Sequence, residues 1–221
     1  MIVFLTYIYS ETPQTIEFYK SCERNGVTPI NMWTENNRNN PKKAVIDFLE
    51  CLKSLEGYTH AVYMDGGDSF MQRKPEKIQD FVLYQGEKRC FPHPHLAEMH
   101  PYSKTEWRYL NGGCWSGKIE NLITFFETCL QMFTSEIENG QLIQQLAFFH
   151  CISNEIYIKI DSECELSQSI AFSDNFEDFE IMPDKMIRNK VTNTIPYILH
   201  GNGRTKMDWI YNLYNGSNNE N

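Results

Sequence analysis

Asp65 and Asp68 stand three residues apart, separated by Gly66-Gly67, at the end of the run Thr59-His60-Ala61-Val62-Tyr63-Met64. The β-branched and aromatic residues of that run favour a short buried strand. The two glycines break it and allow a tight turn. Both carboxylates therefore fall just past the strand's carboxyl end, the edge where open α/β sheets bind ligands. Two such groups can converge on one hard cation. Mg²⁺ or Mn²⁺ is commonly held by one or two carboxylates together with substrate phosphates. The same four residues also fit a solvated Asp-Gly-Gly-Asp turn, which is common.

Three further stretches carry groups with chemical potential. Asn111-Gly112-Gly113 through Gly117 is glycine-rich, which permits close backbone approach to a ligand, and it lacks the Walker pattern. Lys42 and Lys43 follow Pro41 in what reads as the first turn of a helix, where the helix dipole disfavours cations. An anionic partner nearby accounts for them, as does a solvated lysine pair. His93, His95 and His100 invite a zinc reading, but their irregular spacing between prolines fits no tetrahedral motif and reads as a polar surface loop.

Positioning these groups takes alternating strands and helices. Ile2 to Tyr9 reads as a first core strand. Thr12 caps a helix that opens at Pro13, turns Ile16, Tyr19 and Cys22 inward and ends at Gly26. Val27 to Trp33 reads as a strand and residues 35–40 as a polar loop. The helix from Pro41 has Val45, Phe48, Leu49, Leu52 and Leu55 on its apolar face. Past the Asp turn, the pattern predicts a short helix from Lys74-Pro75-Glu76 to Phe81 and short strands at Val82–Tyr84 and Arg89–Phe91. It then predicts helices from Asn121 and over Gly140–His150, and a strand marked by Ile156, Ile158 and Ile160. Residues 172–184 read as an acidic loop, Pro196 to Leu199 lead into His200, and the Asn-rich tail frays. The fold class is α/β.

Composition narrows the class. The chain has 221 residues, 41% hydrophobic and 14% aromatic, as a globular protein does. A net charge of −9 disfavours wrapping nucleic acid through a broad basic face. Seven cysteines in no regular framework, with Cys22, Cys51, Cys129 and Cys151 inside apolar patterns, read as free thiols in a reducing compartment. The apolar start Met1 to Leu5 lacks a basic leader and cleavage site, and no run approaches the ~20 residues that span a bilayer, so the expected location is cytoplasmic with no membrane partner.

Four stretches, in order, resemble the glycosyltransferase domain of the procollagen lysyl hydroxylases and related collagen glycosyltransferases. They are Met64-Asp65-Gly66-Gly67-Asp68 with the downstream Pro75-Glu76, Tyr109-Leu110-Asn111-Gly112-Gly113 through Gly117, the spacing of Asp161, Cys164 and Gln168, and His200-Gly201-Asn202-Gly203-x-Thr205-Lys206. Arg204 stands where that family has proline. The likeness implies a GT-A-like fold, a Rossmann-like mixed sheet flanked by helices, over one domain at 1–214 with a disordered tail at 215–221. It implies a UDP-sugar donor, UDP-glucose or UDP-galactose, and Mn²⁺ (or Mg²⁺) held by Asp65, Asp68 and His200. It places Thr6, Lys42 or Lys43, Gly112, Gly113, Gly203 and Lys206 around the donor, and Asn111 and Gln144 at the reaction centre.

Two departures stand out. Gly67 replaces an aromatic residue inside the Asp turn. Gln144, in Leu142-Ile143-Gln144-Gln145-Leu146, falls where a carboxylate is expected. Glutamine can hydrogen-bond sugar hydroxyls but cannot act as a base. The expected activity is transfer of a hexose to a hydroxyl acceptor. A nucleotide- or sugar-binding module of the same fold and a nucleotide-sugar hydrolase are the alternatives.

Overall fold

The computed structural model describes residues 1–33, 40–134, 139–154, 157–171, 177–203 and 205–216. The expected loop at 35–39, Ile156, residues 172–176 of the acidic stretch, Arg204 and the tail beyond 216 lie outside them. The chain runs β1 (Ile2–Thr6), α1 (Pro13–Arg24), β2 (Ile30–Asn31), α2 (Pro41–Ser54), β3 (His60–Met64), β4 (Ser69–Met71), β5 (Val82–Glu87), a 3₁₀ turn (Pro94–Met99) and β6 (Tyr109–Lys118). It continues with α3 (Ile119–Met132), α4 (Gly140–Ser153), β7 (Ile158–Asp161), β8 (Ser167–Ser169), β9 (Phe179–Ile181), β10 (Ile187–Asn189), β11 (Ile198–His200) and α5 (Asp208–Asn215).

Six strands form a mixed sheet in the order β2-β1-β3-β6-β5-β7, in which β6 runs antiparallel to both its neighbours. Alternation along β1 and β3 divides their side chains between the two faces. Val3, Leu5, Ala61 and Tyr63 join the core under α2, α3 and α4, where Tyr63 stacks on Trp115 at 4.9 Å. Phe4, Val62 and Met64 join the core shared with Phe18 and Cys22 of α1. A second sheet, β4-β11-β8, packs on that side, and its far face is covered by α5 through Phe70, Leu199, Ile210 and Tyr211.

Several elements differ from expectation, each for a local reason. β1 stops at Thr6 because the Asn31 side chain takes over: Ile8 N–H donates to Asn31 Oδ1 and Asn31 Nδ2 donates to Ile8 O, both at 2.9 Å. β2 is correspondingly short. In α1 the buried face is Thr15, Phe18, Ser21 and Cys22, while Ile16 and Tyr19 are exposed. The reciprocal cap between Thr12 and Thr15 fixes that rotation. Residues 74–81 form no helix, since Asp80 O accepts instead from Lys118 N and Asn121 Nδ2. Val82–Tyr84 continues to Glu87 as one strand, and Arg89–Phe91 is not a strand. His100 is buried, unlike its two neighbours in the loop: Nδ1 faces Leu96 O at 3.2 Å and Nε2 accepts from Leu110 N at 3.4 Å. The acidic stretch contains β9, and α5 was not anticipated.

Candidate metal centre and donor cleft

The turn after β3 is tied down from three sides. Asp65 N donates to Gly113 O at 2.8 Å, Ser69 N to Asp65 O at 3.1 Å, and Gly201 N to Asp68 O at 2.7 Å. Antiparallel pairing of β11 with β4 sets His200 opposite Ser69. One ligand atom from each of Asp65, Asp68 and His200 then lies within 4.8 Å of the others. The expected trio is thus assembled by strand pairing rather than by flexible loops.

The His200 ring is fixed from both of its nitrogens. Its Nδ1 donates to Gln85 Oε1 at 2.6 Å, which leaves Nε2 as the ring atom facing Asp68 Oδ1 at 3.1 Å. An outer partner of this kind fixes the tautomer and ring orientation of metal-binding histidines. Close approach requires a missing side chain on β6, because a Cβ at Gly113 would run into the His200 ring. That approach comes from a β-bulge: β5–β6 pairing jumps from Tyr84↔Trp115 to Gln85↔Asn111, so residues 112–114 bow out next to the site.

The electrostatics fit a cation. Burial, reinforced by the neighbouring Asp68, pushes the Asp65 carboxyl up to about 7. Burial acts to lower His200, but Asp68 and Asp65 outweigh it and the net shift is upward. In the absence of metal a proton is therefore favoured where positive charge is wanted. Two carboxylates and a neutral imidazole are a donor set suited to Mn²⁺ or Mg²⁺.

The trio borders a cleft of about 470 Å³ that is also lined by Asn111, Gly112, Gly113, Gln144, Asn202 and Gly203. Asp65, Asp68 and Gly67 also face a hollow of about 380 Å³ against Tyr7, Tyr9 and Thr12. Eight of the twelve expected site residues thus come together on the cleft: Asp65, Asp68, His200, Asn111, Gly112, Gly113, Gln144 and Gly203. Gln144 is buried with its Oε1 lacking a hydrogen-bond partner. The other four do not line it. Thr6 is buried beneath Gly66, and Lys42 and Lys206 are exposed. Lys43 is paired with Asp47, four residues on along α2, so its place in the first turn has a local cause.

Sequence reasoning passed over Gln85, Glu87 and Gln141, and quoted Asn202 only as part of the His200-Gly201-Asn202-Gly203 motif, with no role of its own. Glu87 is 2% exposed; its Oε2 accepts from Asn202 Nδ2 at 2.9 Å and Asn111 Nδ2 at 3.2 Å. Gln141 Oε1 accepts from Gly112 N at 2.9 Å. For Gln85 and Glu87 the available signal was polar residues at positions i and i+2 of an apolar strand, which share one face.

Residues 53–219 match the family described as the PLOD GT domain, and the chain belongs to this glycosyltransferase family. Among curated proteins, the human multifunctional procollagen lysine hydroxylase and glycosyltransferase LH3 is 25% identical over 161 residues, covering 68% of this chain and 21% of that protein. The uncharacterized protein R699 of Acanthamoeba polyphaga mimivirus is 24% identical over 169 residues, 72% of this chain and 35% of that one. The chain thus spans about a third or less of these relatives. A solved glycosyltransferase involved in glycosylation of the major capsid of PBCV-1 shares the fold, with a TM-score of 0.55 at 8% identity, covering 96% of this chain and 98% of that one. No helix among the described residues is long and apolar enough to cross a membrane.

Proposed function

We propose that this chain is a GT-A-type hexosyltransferase that moves a sugar from UDP-glucose or UDP-galactose to a hydroxyl acceptor. The observation that carries the reading is the grouping of Asp65, Asp68 and His200 at the cleft, with the histidine tautomer fixed by Gln85. These residues would hold Mn²⁺ or Mg²⁺. When bound, such a cation neutralises the charge that develops on a departing diphosphate. Gly203 has open space beside its backbone for the donor, whereas the N–H groups of Gly112 and Gly113 are taken by Gln141 and Asn111. Gln144 would offer the sugar its unpartnered amide oxygen, whereas Asn111, spent on Gly113 N and Glu87, would act by positioning. Lys206, Lys42 and Thr6 lie outside the cleft walls, and their donor contacts rest on the resemblance alone.

One observation favours a second reading. Gln144 puts a neutral amide where a transferase of this kind is expected to carry a carboxylate, which suits a module that binds a nucleotide-sugar without turnover. UDP release from UDP-glucose and from UDP-galactose separates the two. The transferase reading expects release that needs Mn²⁺ or Mg²⁺ and stops in EDTA. No release from either donor, with UDP still bound, selects the binding module.

A further inference from the structure

Glu87 lines the same cleft as the cation ligands but is not one of the three. It stands on β5 beside the bulge, on strand rather than loop. One carboxylate oxygen, Oε2, receives two amide N–H donors, from Asn111 and Asn202. The other, Oε1, is buried with no hydrogen-bond partner. Among the described residues no cation is paired with Glu87. The two amides are themselves fixed: Asn111 Oδ1 accepts from Gly113 N at 2.8 Å, and Asn202 Oδ1 accepts from Ser169 Oγ at 2.5 Å. Their NH₂ groups are thereby committed to face Glu87.

A structural role does not require this charge. The oxygen of a glutamine would accept from the same two amides without the cost of burying an unpaired carboxylate. The carboxylate is held by one oxygen and keeps the other unspent. We propose that Glu87 is the base of the transfer reaction, taking the acceptor's proton on Oε1. The proposal rests on the transferase reading above. As the acceptor oxygen forms its bond to the anomeric carbon, its proton passes to Glu87. The bond from that carbon to the β-phosphate oxygen breaks, and the electron pair leaves with UDP. Glu87 afterwards returns its proton to solvent. Burial pushes the Glu87 carboxyl up to about 7, with Asn111, His200 and Asn202 acting to lower it. A base is most effective when its pKa lies near the working pH.

The test uses UDP-glucose with Mn²⁺ and water as acceptor, read as UDP release, and compares the parent with Glu87→Gln and Glu87→Asp. Glu87→Gln should lower kcat by about 10²–10⁴-fold, the range of a general base, with KM for the donor nearly unchanged. With Mn²⁺ saturating at every pH, so that Asp65 and His200 stay deprotonated, the parent rate should rise as pH passes through about 7, and the residual rate of Glu87→Gln should not. Glu87→Asp keeps a carboxylate and should retain the pH dependence at a reduced rate. The Mn²⁺-dependent rise in melting temperature on adding UDP should be the same in all three proteins. A Glu87→Gln rate and pH profile like the parent's would overturn the proposal while leaving the transferase reading standing. A UDP-induced shift lost in parallel with the rate would overturn it in favour of a donor-binding role. No UDP release by the parent from UDP-glucose or from UDP-galactose would overturn the transferase reading, and this proposal with it.

Discussion

Asp65→Asn should abolish UDP release, at least about 10³-fold, and also raise the melting temperature of the metal-free protein at pH 8. The first effect follows from removing one of two carboxylates from the proposed three-residue cation site. The second follows from the Asp65 carboxyl, raised by burial and by Asp68 to about 7. A group whose pKa is raised on folding contributes stability that is full below its unfolded value and is lost as pH rises through the folded one. At pH 8 the folded protein therefore carries a carboxylate that would be more comfortable exposed, and asparagine removes that penalty. Asp65 is only half-buried, so solvent screening discounts the shift to a gain on the order of 2 kcal/mol, roughly 4–8 °C for a chain of this size. The gain should shrink as pH falls from 8 toward 4. Melting curves in EDTA at several pH values check this, and a destabilised Asp65→Asn protein at pH 8 would contradict it. His200→Ala should lose UDP release to a similar degree.

The second large effect is expected at a residue with no functional group. Gly113→Ala should remove UDP release about as completely as loss of a ligand, because its Cβ has no room beside the His200 ring. His200 is 2% exposed and anchored to Gln85, so the ring cannot yield without leaving the ligand position. Overpacking of this kind costs about 1–3 kcal/mol. Gly67→Ala is the internal control: a Cβ there meets nothing within 4 Å, so stability should hold. Equal melting temperatures and rates for both variants would show that the tight approach of β6 to β11 is not needed.

How much of this was legible beforehand depends on the range of the cause. Asp65 and Asp68 were readable because strand, glycine pair and carboxylates are adjacent in sequence. His200 was readable only through its glycine-flanked motif and the family likeness, since the β4–β11 pairing that delivers it spans over a hundred residues. Glu87 was missed because the strand beginning at Val82 was ended at Tyr84, which cut off Gln85 and Glu87, the two residues that face the site. The bulge at residues 112–114 has no local signature beyond its glycines. Lys43 was the opposite case, since Asp47 four residues on was in plain view. α5 was hidden by its Asn-rich surroundings, as its stability comes from Phe70 and Leu199 across the fold.

The central claim is a cation-dependent nucleotide site built by Asp65, Asp68 and His200. The melting temperature with and without UDP, in Mn²⁺ and in EDTA, tests it without requiring an acceptor. A ligand that binds only the folded state at a hundredfold excess over Kd stabilises by about 2.7 kcal/mol, roughly 5–11 °C for a chain of this size. That shift should appear with Mn²⁺ and vanish in EDTA, and it should vanish under both conditions in Asp65→Asn and His200→Ala. A shift of equal size in EDTA, or one that survives both substitutions, would contradict the account.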